Sequence, residues 1–220
     1  MIALRPITPT LYAVPMRILS LVAHPRPSSF CHAVSARARE ELSALGHEVL
    51  HHDLYAEGFD PCLMAEEAYS IGDTLEVALS RAADPVTRQH RSEIASADGL
   101  LVVHPNWWGK PPAVLAGWLD RILVPGVAYR LASADGLPEG LLSIKSALIF
   151  NTSDTHAERE RTELGDPLEL IWGRCVLPYC GVETYHRHVF RPVVGSSDKQ
   201  RKSWPEEAEG LSRRVFRSGS

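Results

Sequence analysis

Residues 100–130 read LLVVHPNWWGKPPAVLAGWLDRILVPGVAYR. Leu100, Leu101, Val102 and Val103 form a continuous apolar run, the pattern of a strand buried on both faces of a parallel sheet. A loop follows over 104–112, with two adjacent tryptophans, three prolines and a glycine. Behind it Ala113, Val114, Leu115, Trp118, Leu119 and Ile122 recur at helical spacing, and Pro111 and Pro112 are placed to start that helix. Ligands of open α/β sheets sit beyond the carboxyl ends of the strands. Trp107 and Trp108 therefore stand at a ligand edge, where indoles are costly to expose unless something flat covers them. The competing reading makes the two rings plugs of their own loop's core.

Outward from this stretch, short apolar runs alternate with amphipathic segments. RILSLVA over 17–23 reads as a first strand. A helix is expected over 30–45, with Ala33, Val34, Ala38 and Leu42 on its inner face, Gly46 as its stop and Ser28 or Ser29 as its N-cap. HEVLHH over 47–52 is a shorter, more polar strand suited to an edge. Residues 53–86 lack periodicity and are expected to wrap the surface, with one helical portion near 65–69. A helix over 87–97 returns the chain to the central strand. After a loop over 124–143, KSALIF at 145–150 is a fourth strand and 167–177 a helix. VETYHRHV at 182–189 alternates like a half-exposed strand, and 196–215 closes the chain as a charged amphipathic helix.

This alternation predicts an α/β fold with right-handed crossovers. Five strands suit the flavodoxin-like order 2-1-3-4-5, a five-stranded parallel sheet with helices on both faces and a switch point between its first and third strands. Loops 24–30 and 104–112 meet at that point, with 151–155 beside them. The domain is expected to span 17–215, between a disordered extension over 1–16 and a tail over 216–220. Met16 stands directly before the first strand, so translation is expected to begin there.

The 220 residues suffice for one domain with a real core, and their 45% hydrophobic and 23% charged content is that of a globular protein. The net charge of −4 gives no electrostatic case for nucleic acid or an anionic membrane. Neither a signal peptide nor a membrane span is evident, and Cys31, Cys62, Cys175 and Cys180 form no CxxC pair or zinc spacing, which fits thiols in a reducing cytoplasm.

Loop 24–30 contains neither GxGxxG nor GxxxxGK[ST], which excludes a Rossmann pyrophosphate site and a Walker loop there. It does offer the hydroxyls of Ser28 and Ser29, the free N–H groups of a helix start, and His24 as a charge or hydrogen-bond partner for phosphate. A merely capped helix is the alternative. The tryptophan loop and NTSDT (151–155) complete a pocket suited to a flavin. Backbone N–H groups near 106–108 and the side chains of Asn151, Thr152 and Thr155 match the ring's carbonyl and nitrogen edge. Taken alone, NTSDT reads equally well as a cap and turn.

HPRPSSF after the first strand, then HPNWWGKPPAVLAGWLDRIL with VAYR shortly after, resembles the flavodoxin-like NAD(P)H:quinone reductase family, over about residues 16–211. The resemblance implies a non-covalent flavin, FAD or alternatively FMN, with NAD(P)H as reductant, a small electron acceptor such as a quinone, and a homodimer with active sites at its interface. It matches His24, Ser29 and Phe30 to cofactor-phosphate contacts, and Pro105, Asn106, Trp107 and Trp108 to the segment along the isoalloxazine. Asn151, Thr152, Ser153 and Asp154 match a loop that is TTGG in the animal enzymes. Two departures stand out: Ser153 and Asp154 replace the glycine pair, and Leu164 stands where those enzymes place a histidine. His156 is the substitute considered on the substrate side, together with Trp108. The mechanism implied is hydride transfer in two half-reactions through one stacking space. Other roles that the resemblance leaves open are an ancillary subunit of a potassium-efflux antiporter and a one-electron flavodoxin-type carrier, the latter disfavoured by the modest charge.

Other constellations carry less. His51-His52-Asp53 and the pair His186/His188 lack the further ligands of a metal shell. Ser28 or Ser29 with a histidine and Asp154 lacks the GxSxG elbow of a hydrolase. The basic clusters over 199–202 and 213–217 read as a solvated helix face.

Overall fold

Seven strands occur in the computed structural model, which describes residues 14–70, 72–82, 84–131 and 136–217. In chain order they are β1 (Arg17–Val22), β2 (Glu48–Asp53), β3 (Gly99–Pro105), β4 (Tyr129–Arg130), β5 (Glu139–Gly140), β6 (Ser146–Thr152) and β7 (Tyr185–Phe190). β4 and β5 form a small antiparallel hairpin. The other five build one sheet in the order β2-β1-β3-β6-β7, every pair parallel. Setting the hairpin aside, this is the order 2-1-3-4-5 of the flavodoxin-like fold. The extension expected over 1–16 falls mainly outside the described residues.

The core follows from the strands' period of two. Leu19, Leu21, Leu100, Val102, Ala147 and Ile149 face one layer, with Leu115, Trp118, Ile122 and Trp172. Ile18, Val22, Leu101, Val103, Leu148 and Phe150 face the other, with Val34, Ala38, Leu42, Trp204 and Ala208. All seven residues of β3 are buried, as its unbroken apolar run requires. The first helix, α1 (Phe30–Ala44), and the last, α8 (Asp198–Val215), cover the second layer. Ser29 caps α1 by accepting the N–H of His32. Ala33, expected on the inner face of α1, is exposed, because the buried stripe runs through Cys31, Val34, Ser35, Ala38 and Leu42. Phe216 is buried against Gly99 rather than part of a tail, so the folded domain runs past 215.

On the first layer lie α2 (Leu75–Ser80), α3 (Pro85–Ala95) and α4 (Ala113–Ile122). The segment 53–86 carries α2 and a single 3₁₀ turn (Ala65–Glu67), and the GWLDR run of α4 explains its course. Arg121 is buried and meets the buried Glu67 carboxylate through two hydrogen bonds of 2.8 and 2.9 Å. It also donates to the Asp60 carbonyl and to Asp84, the N-cap of α3. Trp118 Nε1–H donates to His90 Nδ1 at 2.7 Å. Gly117 lets the backbone at Pro61 touch α4.

Between β6 and β7 the chain departs from the expected single helix over 167–177. It forms α5 (Ala157–Thr162), unforeseen because AERERT lacks an apolar stripe, then α6 (Pro167–Leu170), a π-helical stretch (Ile171–Val176) and α7 (Leu177–Tyr179). The π stretch puts Gly173 against the Tyr185 hydroxyl, where a Cβ would overlap it. A π-turn keeps the side-chain pattern of a helix while inserting an extra residue, so periodicity does not reveal it.

A methyl group on Gly117 would overlap the Pro61 backbone. Gly117→Ala, which in an open helix would add about 1 kcal/mol of stability, is therefore expected to destabilise by about 1–3 kcal/mol through overpacking. Urea unfolding of the two proteins checks the sign.

Candidate functional site

Parallel register sets the rim. β1 and β3 pair up to Val22 opposite Val103, and β3 and β6 continue to Pro105 opposite Thr152. The chain therefore leaves all three strands at one edge of the sheet. The loops after them enclose a cleft of about 280 Å³. From the first loop it is lined by His24, Arg26, Ser28, Ser29, Phe30 and Cys31. The second loop gives Pro105, Asn106 and Trp107, the third Thr152, Ser153 and Asp154, and Val193 closes the end. Of the expected site residues, four stand apart, among them the half-buried Thr155, whose N–H donates to Ser153 Oγ. Trp108 lies on the lip, 96% exposed. Asn151 lies beneath the cleft, fully buried. His156 is an exposed residue at the start of α5. Arg26, Cys31 and Val193 were not foreseen.

The first loop runs into the start of a helix. The leading N–H groups of the 15-residue α1 have no carbonyl one turn earlier to bind and carry the positive end of its dipole. His24 Nδ1 accepts the Arg26 N–H at 3.1 Å, so Nε2 carries the ring's proton. Burial lowers the His24 pKa, opposed by the Arg26 backbone hydrogen bond and reinforced by the nearby His32. His24 thus offers a hydrogen bond rather than the charge that was one of its expected roles. Ser29 Oγ lies 2.8 Å from His32 Nδ1, and His32 Nε2 lies 2.8 Å from Asp53. This chain ties the first turn of α1 to the end of β2 and leaves the exposed Ser28 as the freer hydroxyl. Cys31 Sγ meets Thr152 Oγ1 at 3.4 Å, and burial pushes the thiol up to about 11. It joins the first and third loops and is not a nucleophile.

The second loop is fixed by Asn106. Its N–H donates to the Thr152 carbonyl at 2.7 Å, its Oδ1 accepts the Gly109 N–H at 3.0 Å, and its Nδ2 donates to Glu160 at 2.5 Å. Trp107 and Lys110 exchange backbone hydrogen bonds across the turn. Trp108 at its tip holds φ at +58°, a left-handed conformation rare for a bulky side chain. Trp107 packs beside His24, ring centroids 5.8 Å apart. Trp108 plugs no core; it is presented to solvent by a strained turn.

Asn151, expected to face a flavin edge, is buried with its amide engaged inside the protein. Its Nδ2 donates to His104 Nε2 at 2.9 Å and its Oδ1 accepts from Arg187 Nε at 2.7 Å. His104 is fully buried, donates from Nδ1 to the Pro105 carbonyl and also accepts the Trp172 indole N–H at 3.0 Å. Burial, reinforced by Arg187, lowers its pKa to about 4.

Among the described residues, one group of metal-ligand type lies elsewhere: His52, Glu57 and His90. It differs from the expected but discounted set His51-His52-Asp53, since Asp53 turns to His32. His52 meets Glu57 through Nδ1 at 2.8 Å and Glu93 through Nε2 at 2.5 Å. Burial opposes the charge on His52, but these two carboxylates raise its pKa. The His90 Nδ1 already accepts the Trp118 indole N–H, so its proton sits on Nε2, facing Glu57 at 3.4 Å. Both nitrogens of His52 and the Nδ1 of His90 are engaged within the protein, so the cluster ties β2 and the turn after it to α3, with a hydrogen bond from Trp118 of α4.

The sequence profile described as Flavodoxin-like fold matches residues 16–215. A protein of Haemophilus influenzae named uncharacterized NAD(P)H oxidoreductase is 31% identical, the match covering 88% of this chain and 92% of that one. The human ribosyldihydronicotinamide dehydrogenase [quinone] is 26% identical, over 84% of this chain and 86% of the human one. Among solved structures, the NAD(P)H:quinone oxidoreductase of Methanothermobacter marburgensis superposes with a TM-score of 0.72 at 26% identity, covering 91% and 97% of the two chains.

Two outcomes follow from the rim. The His104 pKa is depressed from 6.5 to about 4 on folding, so its contribution is complete above pH 6.5 and is lost as pH falls through 4. The loss amounts to about 3 kcal/mol, and unfolding midpoints measured across that window should fall less steeply in His104→Gln. At the lip, Trp108→Gly should be more stable than Trp108→Ala by about 1 kcal/mol, the left-handed penalty of a Cβ. Urea titrations giving equal stability would remove the strain.

Proposed function

The chain belongs to the family with the flavodoxin-like fold and is an oxidoreductase, and from that premise we propose that it takes hydride from NADH or NADPH and delivers it to a quinone or similar small electrophile by way of a non-covalently bound flavin. The observation that carries this reading is the cleft itself: a helix start suited to phosphate and an indole lip suited to a planar ring, 80 residues apart in sequence, meet at one switch point of the sheet. The residues present fit such a cofactor. The first N–H groups of α1, the His24 Nε2–H and the Ser28 hydroxyl supply neutral donors for phosphate oxygens. Arg26, beside them, adds the loop's one exposed cation. Thr152, Ser153 and the backbone over 106–108 border the place for a ring edge.

The flavin, FAD or FMN, would supply the two-electron chemistry that no side chain here offers. The chain's own contribution is to position. Trp107 and Trp108 would border the one space beside the flavin ring that donor and then acceptor occupy, which implies ping-pong kinetics. The N–H groups of Asn106, Trp107, Gly109 and Ser153 are already bonded within the chain, so charge developing on the ring edge would be met by side-chain donors such as Thr152 and by the remaining N–H groups of the loops. Asp154 is committed to the Val194 N–H at 2.6 Å and holds the far wall. His156 is exposed, which suits a contact with substrate better than one with cofactor.

We also infer a homodimer. A groove of about 330 Å³ lies between Leu63, Tyr69, Leu119, Leu123, Tyr129 and Tyr179. Of its lining, Leu63, Tyr69 and Tyr179 are exposed apolar side chains. A second copy covers it in this reading. No described helix is long and apolar enough to cross a membrane.

Purified protein is expected to show an oxidised-flavin absorbance spectrum, or to gain it on adding FMN or FAD, with bleaching by NADH or NADPH. Trp107→Ala and Trp108→Ala should each weaken flavin or substrate binding by about 2 kcal/mol. A colourless protein that takes up neither nucleotide ends the proposal.

A further inference from the structure

α5 is a short, highly charged helix, and most of its charges face water. Arg161 pairs with Glu158 and Arg159 with Glu163 on its exposed side. Glu160 alone is turned inward, 1% exposed. Its Oε1 accepts Asn106 Nδ2–H at 2.5 Å, and its Oε2 accepts Arg191 Nη1–H. Asn106 is the residue that sets the tryptophan turn, and Arg191 directly follows β7, on the segment that packs against the third loop. There Ser153 N–H donates to the Phe190 carbonyl and Val193 N–H to the Ser153 carbonyl. One buried carboxylate therefore touches the supports of two loops of the cleft.

Taking the cleft as the flavin site, we propose that Glu160 is a positioning residue for it: its carboxylate dictates which way the Asn106 amide points, and so holds the turn that presents Trp108. An amide has one donor end and one acceptor end. The Gly109 N–H requires an acceptor, so Oδ1 must face it and Nδ2 must face the other way. Glu160, able only to accept in its ionised form, meets that Nδ2 and enforces this orientation. It can do so while buried because the Arg191 guanidinium neutralises it. With the amide fixed, the Gly109 hydrogen bond closes the turn over 106–109 and keeps the left-handed backbone of Trp108 in place. The signal is absent from local sequence, since 54 residues separate Glu160 from Asn106.

The arrangement makes a prediction specific to hydrogen-bond polarity. In Glu160→Gln, isosteric and uncharged, the charged Arg191 guanidinium claims the one remaining oxygen, so the NH₂ faces Asn106 Nδ2, donor against donor. The Asn106 amide then flips or its bond breaks, and the Gly109 N–H loses its acceptor. Exchanging the two groups, Asn106→Asp with Glu160→Gln, restores every donor–acceptor match: the aspartate accepts from Gly109 and from the glutamine NH₂, whose oxygen accepts from Arg191.

The test measures two quantities for wild type, Glu160→Gln and the double variant: dissociation constants for added FMN and FAD, and the hydrogen-exchange rate of the Gly109 amide in the flavin-free protein. Glu160→Gln should weaken flavin binding roughly tenfold to a hundredfold, the loss of one charge-assisted hydrogen bond, and speed Gly109 exchange. The double variant should recover most of both. A Glu160→Gln protein that binds flavin and exchanges Gly109 as wild type does overturns the proposal, as does a double variant no better than the single one. If wild type binds no flavin, the functional reading fails while the exchange rates still decide the role of Glu160.

Discussion

Polar groups at the carboxyl ends of β3 and β6 are buried beneath the cleft, and each must find a partner without help from bulk water. His104 meets that constraint as the neutral Nδ1–H tautomer. It donates to the Pro105 carbonyl and presents Nε2 to both Trp172 and Asn151. The tautomer in turn orients the Asn151 amide, whose oxygen is left for Arg187 Nε. Arg187 then reaches Asp166 at 2.9 Å and Glu169 at 3.3 Å, at the start of α6. The position of a single proton on one ring thus sets the direction of the side-chain hydrogen bonds that link β3, β6, β7 and the π-helical stretch. A protonated His104 would face two donors with a third, which is why burial at this position demands the uncharged ring.

A second set of buried polar contacts organises the other end of α4. Residues 53–86 contain little apolar periodicity, and no strand or long helix holds them. Their place comes from α4: Gly117 admits the Pro61 backbone, Trp118 bonds His90, and Arg121 bridges Glu67, Asp60 and Asp84. Each of those contacts is worth little net against its desolvation, but leaving the Arg121 guanidinium buried and unpaired would cost several kcal/mol, about 3–5. The GWLDR run therefore does for a long surface segment what a hydrophobic stripe does for a helix.

The strands and the rim were legible because both rest on local pattern. The apolar run of 100–103 and the punctuation around it place β3, and strand alternation then forces loops 24–30, 104–112 and 151–155 to one edge. What escaped was non-local. Asn151 reads as a polar loop residue, but its register opposite His104 buries it. Glu160 sits among exposed charges in AERERT, and only the fold brings Asn106 and Arg191 to it. Phe216 follows a basic helix that looks like a tail, but Gly99 leaves a hollow that its ring fills. Periodicity reports which face of an element is apolar; it carries no information on which distant polar atom a buried side chain meets.

The distribution of charge around the cleft narrows how it can attract a ligand. Arg187 and Arg191, the buried guanidiniums nearest the rim, are matched by Asp166, Glu169 and Glu160 and have no free charge to offer. Burial keeps His24 neutral, and Asp154 adds a negative charge to the third loop. What remains is Arg26, exposed to screening solvent, and the partial charges of α1 directed along specific N–H bonds. Recognition of a phosphorylated cofactor here depends on aligned donors in a cleft rather than on a positive field. That suits a chain with a net charge of −4: the protein as a whole repels anions weakly, and only a ligand that reaches the start of α1 finds the geometry that compensates.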